Sequence, residues 1–238
     1  MIKKSLLLFS LLLCSQFSQA QYGLSATYFI PKNGSFSNPV TPFSFRGLGQ
    51  SWGLFGVETG FTLFRMAGMN IKETAIKTNE SLTDPFFSLM IPVEAVFSLP
   101  TGIGLFQLKG GGFVYGNLDA KTHLGNFDRA YKKQNDWILA NADLENKNGL
   151  GYGYRFGLSY LVEINPQVSL TLEGNYLSGQ SEWAWKGTVE GVNTNGDFVS
   201  EAFSEANAQL DYSGYEISIG LVFQSANPKK KGKRRRRR

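Results

Sequence analysis

The chain has 238 residues, a formal net charge of +5, 14% aromatic residues and 27 glycines, with one cysteine and one histidine. A single cysteine excludes a disulfide framework or a thiolate metal site, and one histidine is a poor start for a transition-metal centre, so no metal and no cofactor is expected. After the first twenty residues no stretch approaches eighteen consecutive apolar residues, which excludes a membrane-spanning helix.

The N-terminus opens with the basic Met1-Ile2-Lys3-Lys4, followed by an apolar run over residues 5–13 that is too short to cross a bilayer. Ser18-Gln19-Ala20 then sets small residues three and one positions before a cut ahead of Gln21, the pattern of a secretory signal peptide over residues 1–20. Cys14 lies inside that segment. Lipidation of Cys14 would want a small residue where Leu13 stands. The remaining chain up to residue 225 is the length of one domain.

From there the sequence alternates with period two, the signature of half-buried strands. Residues 22–30 carry Tyr22, Leu24, Ala26, Tyr28 and Ile30 on one face. Residues 41–47 are the weakest segment, short and holding Pro42, with Phe43 and Phe45 opposite Ser44 and Arg46. A turn at Gly49-Gln50-Ser51 leads to residues 52–64, where Phe55, Val57, Phe61 and Leu63 oppose Gly56, Glu58, Gly60 and Thr62. Residues 87–98 alternate Phe87, Leu89, Ile91 and Val93 with Ser88, Met90, Pro92 and Glu94. Pro92 cannot donate to a ladder, so a bulge is expected there. After the turn at residues 99–102, residues 104–116 set Phe106, Leu108 and Val114 against Gln107, Lys109, Phe113 and Tyr115. Residues 149–163 and 168–177, joined by the Asn165-Pro166 turn, set Phe156, Leu158 and Leu172 against Arg155, Ser159 and Glu173. The last segment, residues 215–223, has Tyr215, Ile217, Ile219, Leu221 and Phe223 on one face and Glu216, Ser218 and Gly220 on the other.

Eight such segments predict an all-β chain, an eight-stranded antiparallel up-and-down transmembrane β-barrel. They sort the connections by length. The three turns around residues 50, 100 and 166 are short and share one side. The connections over residues 33–38, 65–84, 117–148 and 178–207 are long and share the other. The last segment resembles the C-terminal strand of an outer-membrane β-barrel. In that family the terminal Phe223 and the aromatic Tyr215 eight residues earlier would serve the barrel assembly machinery as a recognition signal. Over residues 21–224 the pattern is similar to small OmpA- and OmpX-type barrels, and more loosely to the short outer-membrane barrels of Bacteroidota-like bacteria. The resemblance implies an outer-membrane location among its lipids, with long loops outside and the C-terminus in the periplasm.

In this register Arg46, Glu58, Glu94, Lys109, Arg155, Glu173 and Glu216 point inward. A barrel of eight strands is just wide enough for side chains to fill. The expectation is a hydrogen-bonded charge network acting as a structural plug, with an ion or proton path as the sharper alternative. His123 is an isolated loop histidine with Asp119 and Asp128 nearby, and Lys109-Gly110-Gly111-Gly112 lacks the Lys-Ser/Thr of a phosphate loop, so no catalytic residue is assigned. Trp137, Trp183 and Trp185 are read either as an interfacial girdle on strand extensions or as a surface that binds a protein, a glycan or lipopolysaccharide.

Past Pro228 the chain ends in Lys229, Lys230, Lys231, Lys233, Arg234, Arg235, Arg236, Arg237 and Arg238. Setting aside these nine cations, with Lys3 and Lys4, takes the net charge from +5 to −6. So dense a run of like charge is expected to stay disordered over residues 226–238. A periplasmic position excludes nucleic acid and leaves an anionic periplasmic partner: a protein, the cell wall or phospholipid. The functional expectation is a non-enzymatic envelope anchor or scaffold. The alternative is a barrel subunit of a larger secretion or motility complex docked through its tail. A lipid A-modifying enzyme is the distant third.

Overall fold

Side chains of an extended strand point alternately to opposite faces, so eight alternating segments joined edge to edge give a sheet with one apolar and one polar face. The computed structural model describes residues 21–32 and 43–224. Its elements are β1 (Gln21–Pro31), β2 (Phe43–Trp52), β3 (Phe55–Met66), β4 (Ile71–Lys72), β5 (Phe86–Pro100), β6 (Gly104–Leu118), helix α1 (Leu124–Gln134), β7 (Trp137–Asn148), β8 (Gly151–Asn165), β9 (Val168–Asn193), β10 (Phe198–Asp211) and β11 (Gly214–Phe223). Eight of these strands, β1, β2, β3, β5, β6, β8, β9 and β11, pair antiparallel in that order, and β11 returns to β1. The closing seam runs without a break from Tyr22 opposite Phe223 to Pro31 opposite Gly214. The fold is a closed eight-stranded antiparallel β-barrel.

The barrel is apolar outside. Leu24, Phe61, Leu89, Ile91, Val93, Leu108, Phe156, Leu158, Leu172, Ile217 and Ile219 are all more than a third exposed, and they lie on every side of it. Aromatic residues gather toward both rims. Tyr22 stacks on Phe223 at 5.3 Å and Phe55 meets Phe97 at 5.1 Å near the short turns, while Tyr176 meets Tyr215 at 5.4 Å toward the opposite end.

Two local expectations change. β2 continues to Trp52, so Gly49, Gln50 and Ser51 are ladder residues opposite Glu58, Val57 and Gly56, and the turn is Gly53-Leu54. Gly53 takes φ +67°, which a glycine adopts without cost. The strand keeps its faces in order through a register shift between Phe45 and Leu48, where Gly47 has φ +76°. The second change is at Pro92, where there is no bulge. Pairing with β6 is unbroken there, and the register with β3 is the same on either side. The Pro92 carbonyl accepts from the Thr59 hydroxyl at 2.6 Å. Thr41 and Pro42, the signal peptide over residues 1–20 and the tail over residues 226–238 lie outside the described residues.

The larger departure is at the end opposite the short turns. Three connections expected as loops fold into one cap. β9 does not stop at Leu177 but continues to Asn193, and its extension carries β7 on one edge and β10 on the other. β4 adds to β10 through Lys72 and Ile71. One face of this sheet is buried beneath α1 and the chain around Met69, Ile76 and Leu82. The outward side chains of β9 change from Leu170, Leu172 and Tyr176 to Gln180, Glu182, Lys186, Thr188 and Glu190 as it leaves the barrel. α1 begins at His123, whose Nδ1 accepts from the Asn126 N–H at 3.2 Å, so the lone histidine is a helix N-cap.

Trp137, Trp183 and Trp185, expected at an outer rim, instead face the inside of this cap, at 8%, 0% and 1% exposure. The strand extension is there, but its odd-numbered side chains turn toward α1. Trp185 lies edge-on to Phe127 at 5.8 Å and donates its indole N–H to Thr122 at 2.6 Å. Replacing Trp185 by Ala is expected to destabilise the cap by about 3–5 kcal/mol. Hydrogen exchange should then rise in α1, β7 and β10 while the β1–β11 seam stays protected.

Candidate functional site

The barrel interior is built in two layers. Toward the short turns it is ionic. All seven charged residues singled out in the sequence project inward and join one network. Arg155 of β8 meets Glu94 of β5 at 3.1 Å, Glu173 of β9 at 2.9 Å and Glu216 of β11 at 3.1 Å. Arg46 of β2 meets Glu173 at 2.5 Å and Glu216 at 2.7 Å. Lys109 of β6 meets Glu58 of β3 at 2.5 Å and Glu173 at 3.0 Å. Glu173 therefore accepts from all three cations. Asn175 adds hydrogen bonds to Glu173 and Glu216, each at 2.7 Å.

The glycines of β6 make this contact feasible. Gly111 lies directly between Glu94 and Arg155 in the ladders of β5, β6 and β8. A Cβ on Gly111 would come within 2.0 Å of the Val93 carbonyl oxygen. The bare backbone thus lets the arginine reach the carboxylate over an intervening strand.

Toward the cap the interior is aromatic. Phe29, Phe64, Phe113, Tyr115 and Tyr212 pack with Met90 and Leu177, and Tyr115 and Tyr212 lie 4.2 Å apart. This layer runs straight into the cap core. Beside the ionic layer, on its short-turn side, sits a cavity of about 30 Å³ lined by Arg46, Glu58, Lys109, Glu173, Thr171 and Ser218. It has room for a water or two, not for a solute.

Above the barrel, α1 is fixed by polar contacts to the strands. Asp128 accepts from the Ala142 N–H at 2.8 Å, which covers the outer edge of β7. The Tyr131 hydroxyl donates to Glu201 of β10 at 2.7 Å. Burial and the neighbouring Glu201 push the Tyr131 phenol up to about 12, so it remains a donor at neutral pH. At the far end of the cap sheet lies an open cleft lined by Lys77, Arg129, Lys132, Lys133, Asp136 and Trp137.

Tyr215 and Phe223 both point outward. Tyr215 sits beside Ile30 and Tyr176, and Phe223 beside Tyr22 and Val168.

No protein-family model matches this sequence, and no curated protein does. Solved structures with a similar course include the outer membrane protein OprG from Pseudomonas aeruginosa. It is 10% identical, with 87% of this chain and 96% of that one covered, at a TM-score of 0.49. A major outer membrane protein from Thermus thermophilus is also 10% identical, with 87% and 99% covered and a TM-score of 0.34. Likenesses this loose carry no function across.

The ionic layer was readable from alternation alone. The cap was not, apart from one signal. Ser181, Trp183 and Trp185 alternate with Glu182, Ala184 and Lys186, which is the same period two seen in the barrel strands.

Removing Arg155 would leave Glu94 and Glu216 buried with fewer counter-charges. Arg155→Ala is expected to cost about 3–5 kcal/mol of barrel stability. Glu190→Ala, exposed on the cap, should stay within about 0.5 kcal/mol. Urea unfolding of the two variants in detergent, followed by tryptophan fluorescence, measures the difference.

Proposed function

We propose that the chain is an outer-membrane barrel in which the barrel serves as a sealed anchor and the cap is the part that meets other molecules. The observation that carries this reading is the inverted arrangement of the barrel: aliphatic side chains around its outside and seven ionisable side chains joined in its centre. Water would reward the opposite arrangement, whereas a hydrocarbon surround requires this one. The switch on β9 from Leu172 and Tyr176 to Gln180 and Glu182 supports a membrane boundary just above Tyr176.

Support for a sealed anchor comes from the filled interior. An aromatic layer lies over an ion-pair layer, and the small cavity beside the latter has room for a water or two, not for a solute. A non-enzymatic role is favoured because each lumen carboxylate is engaged by a cation instead of facing a substrate-sized space. The short turns on the inner side and the cap on the outer side follow from an even number of strands and the length of the connections. The C-terminal tail then lies in the periplasm, where its nine cations are suited to an anionic partner.

The protein should fractionate with outer membranes, and its gel mobility should differ between unheated and boiled samples. In planar bilayers it should give no steady conductance. Recovery in the soluble periplasmic fraction, or stable open channels, would overturn the anchor reading. Leu172→Arg should cost about 2–4 kcal/mol, because an arginine facing lipid near the midplane is costly. Thr188→Arg, on the same face but beyond the boundary, should cost little.

Truncation after Ser225 should leave heat-modifiable mobility intact and remove salt-sensitive binding to anionic periplasmic material. Loss of barrel assembly on truncation, or trimming of the tail by protease added to whole cells, would refute the tail's placement.

A further inference from the structure

The cap is acidic as a whole. Over residues 67–85, 119–150 and 178–213 it carries eight basic side chains against fourteen acidic ones. Yet four of the eight, Lys77, Arg129, Lys132 and Lys133, line one open cleft of about 910 Å³. The only acidic residues lining it are Glu80 and Asp136. Glu80 is held by Arg129 at 2.8 Å. Three lysines thus face the cleft against one unengaged aspartate. Charges of one sign collected in a concave site raise the local concentration of the opposite charge.

The cleft is held open by the fold. Arg129, Lys132 and Lys133 stand on one side of α1, and their helix is fixed to the sheet through Asp128 and Tyr131. Lys77 comes from the connection between β3 and β5, and its backbone N–H donates to the Gln134 side chain at 3.2 Å, which holds it against the end of α1. Trp137, buried and packed edge-on to Tyr131 at 5.3 Å, closes the cleft from behind. Thr78, Asn79 and Thr194 supply neutral hydroxyl and amide groups. Cations interleaved with neutral hydroxyl and amide groups in one concavity match a hydroxyl-rich ligand that carries negative charge.

Height decides against lipid head groups. The cleft lies at the end of the cap sheet, where Trp137 pairs with Asn193. Asn193 is sixteen residues along β9 from Leu177, the last barrel rung shared with β11. At about 3.3 Å per residue that is on the order of 50 Å of strand, and at a barrel strand's tilt of about 45° a rise of roughly 35 Å, far beyond the few ångströms that head groups add to a bilayer.

We infer that this cleft binds an anionic saccharide, a carboxylated or phosphorylated sugar chain held well clear of the membrane. The inference rests on the proposed role of the cap as the outward-facing part.

The test uses the full chain folded in detergent micelles and three probes in calorimetry at low salt: an oligogalacturonate, a phosphorylated mannan fragment and a neutral maltooligosaccharide. At least one of the two anionic probes should bind and the neutral one should not. The stronger anionic binding should weaken steeply as salt is raised. Lys132→Glu/Lys133→Glu should weaken it at least tenfold, and Lys186→Glu, on the opposite face of the cap sheet, should change it less than twofold. Equal binding of the neutral probe, no binding of either anionic probe, or equal loss in Lys186→Glu would overturn the inference. Tighter binding of a poly-glutamate peptide than of either sugar would overturn it in favour of an acidic protein. Heat-modifiable mobility is followed for every variant, so loss of the barrel itself is distinguished from loss of the cleft.

Discussion

One arginine without exposed surface ties the barrel together. Arg155 reaches Glu94, Glu173 and Glu216, which come from three other strands, and through these carboxylates it is joined to Arg46 and Lys109. The resulting network touches β2, β3, β5, β6, β8, β9 and β11. The remaining barrel strand, β1, joins β11 through Thr27 and Ser218 at 2.9 Å. Such a network fixes register more than it adds stability. Slipping any one strand by a single residue would turn its charge outward into the apolar belt and leave its partners unmatched inside.

The aromatic layer above solves a different problem. Ionised groups can be kept in the centre of a barrel only if their hydrogen bonds are made within the protein or to a few trapped waters. Phe29, Phe64, Phe113, Tyr115 and Tyr212 close the ionic layer off from the cap side, and the same packing continues upward around Trp183 and Trp185. Barrel and cap therefore share one continuous apolar core.

The barrel strands are legible in the sequence because an apolar outer face and a filled polar lumen force strict alternation. Residues 87–97 and 215–223 show it with hardly an exception. The end of β2 is not legible, because Gly47, Gly49 and the shift after Phe45 break the period and the true turn, Gly53-Leu54, has no polar signal. The cap is hidden for a related reason. β10 reads Ser200-Glu201-Ala202-Phe203-Ser204-Glu205, and its two faces differ little in polarity because the outer one meets water and the inner one carries glutamates bonded to Tyr131 and Thr74. The lumen charges follow from parity alone. The cleft draws on two segments far apart in sequence, Lys77 and the turn of α1 around Lys132, which only the tertiary fold brings together.

β9 is one uninterrupted strand of 26 residues, shared by the barrel wall and the centre of the cap sheet. Its ladder bonds, to β8 and β11 below and to β7 and β10 above, run across its length. A pull on the cap along the strand therefore loads many cross-strand bonds together in shear instead of peeling them one at a time. Along β9 no loop separates the two parts to act as a swivel. Whatever tugs on the cap is mechanically coupled to the wall of the barrel, in the manner of a rigid mast stepped into a hull.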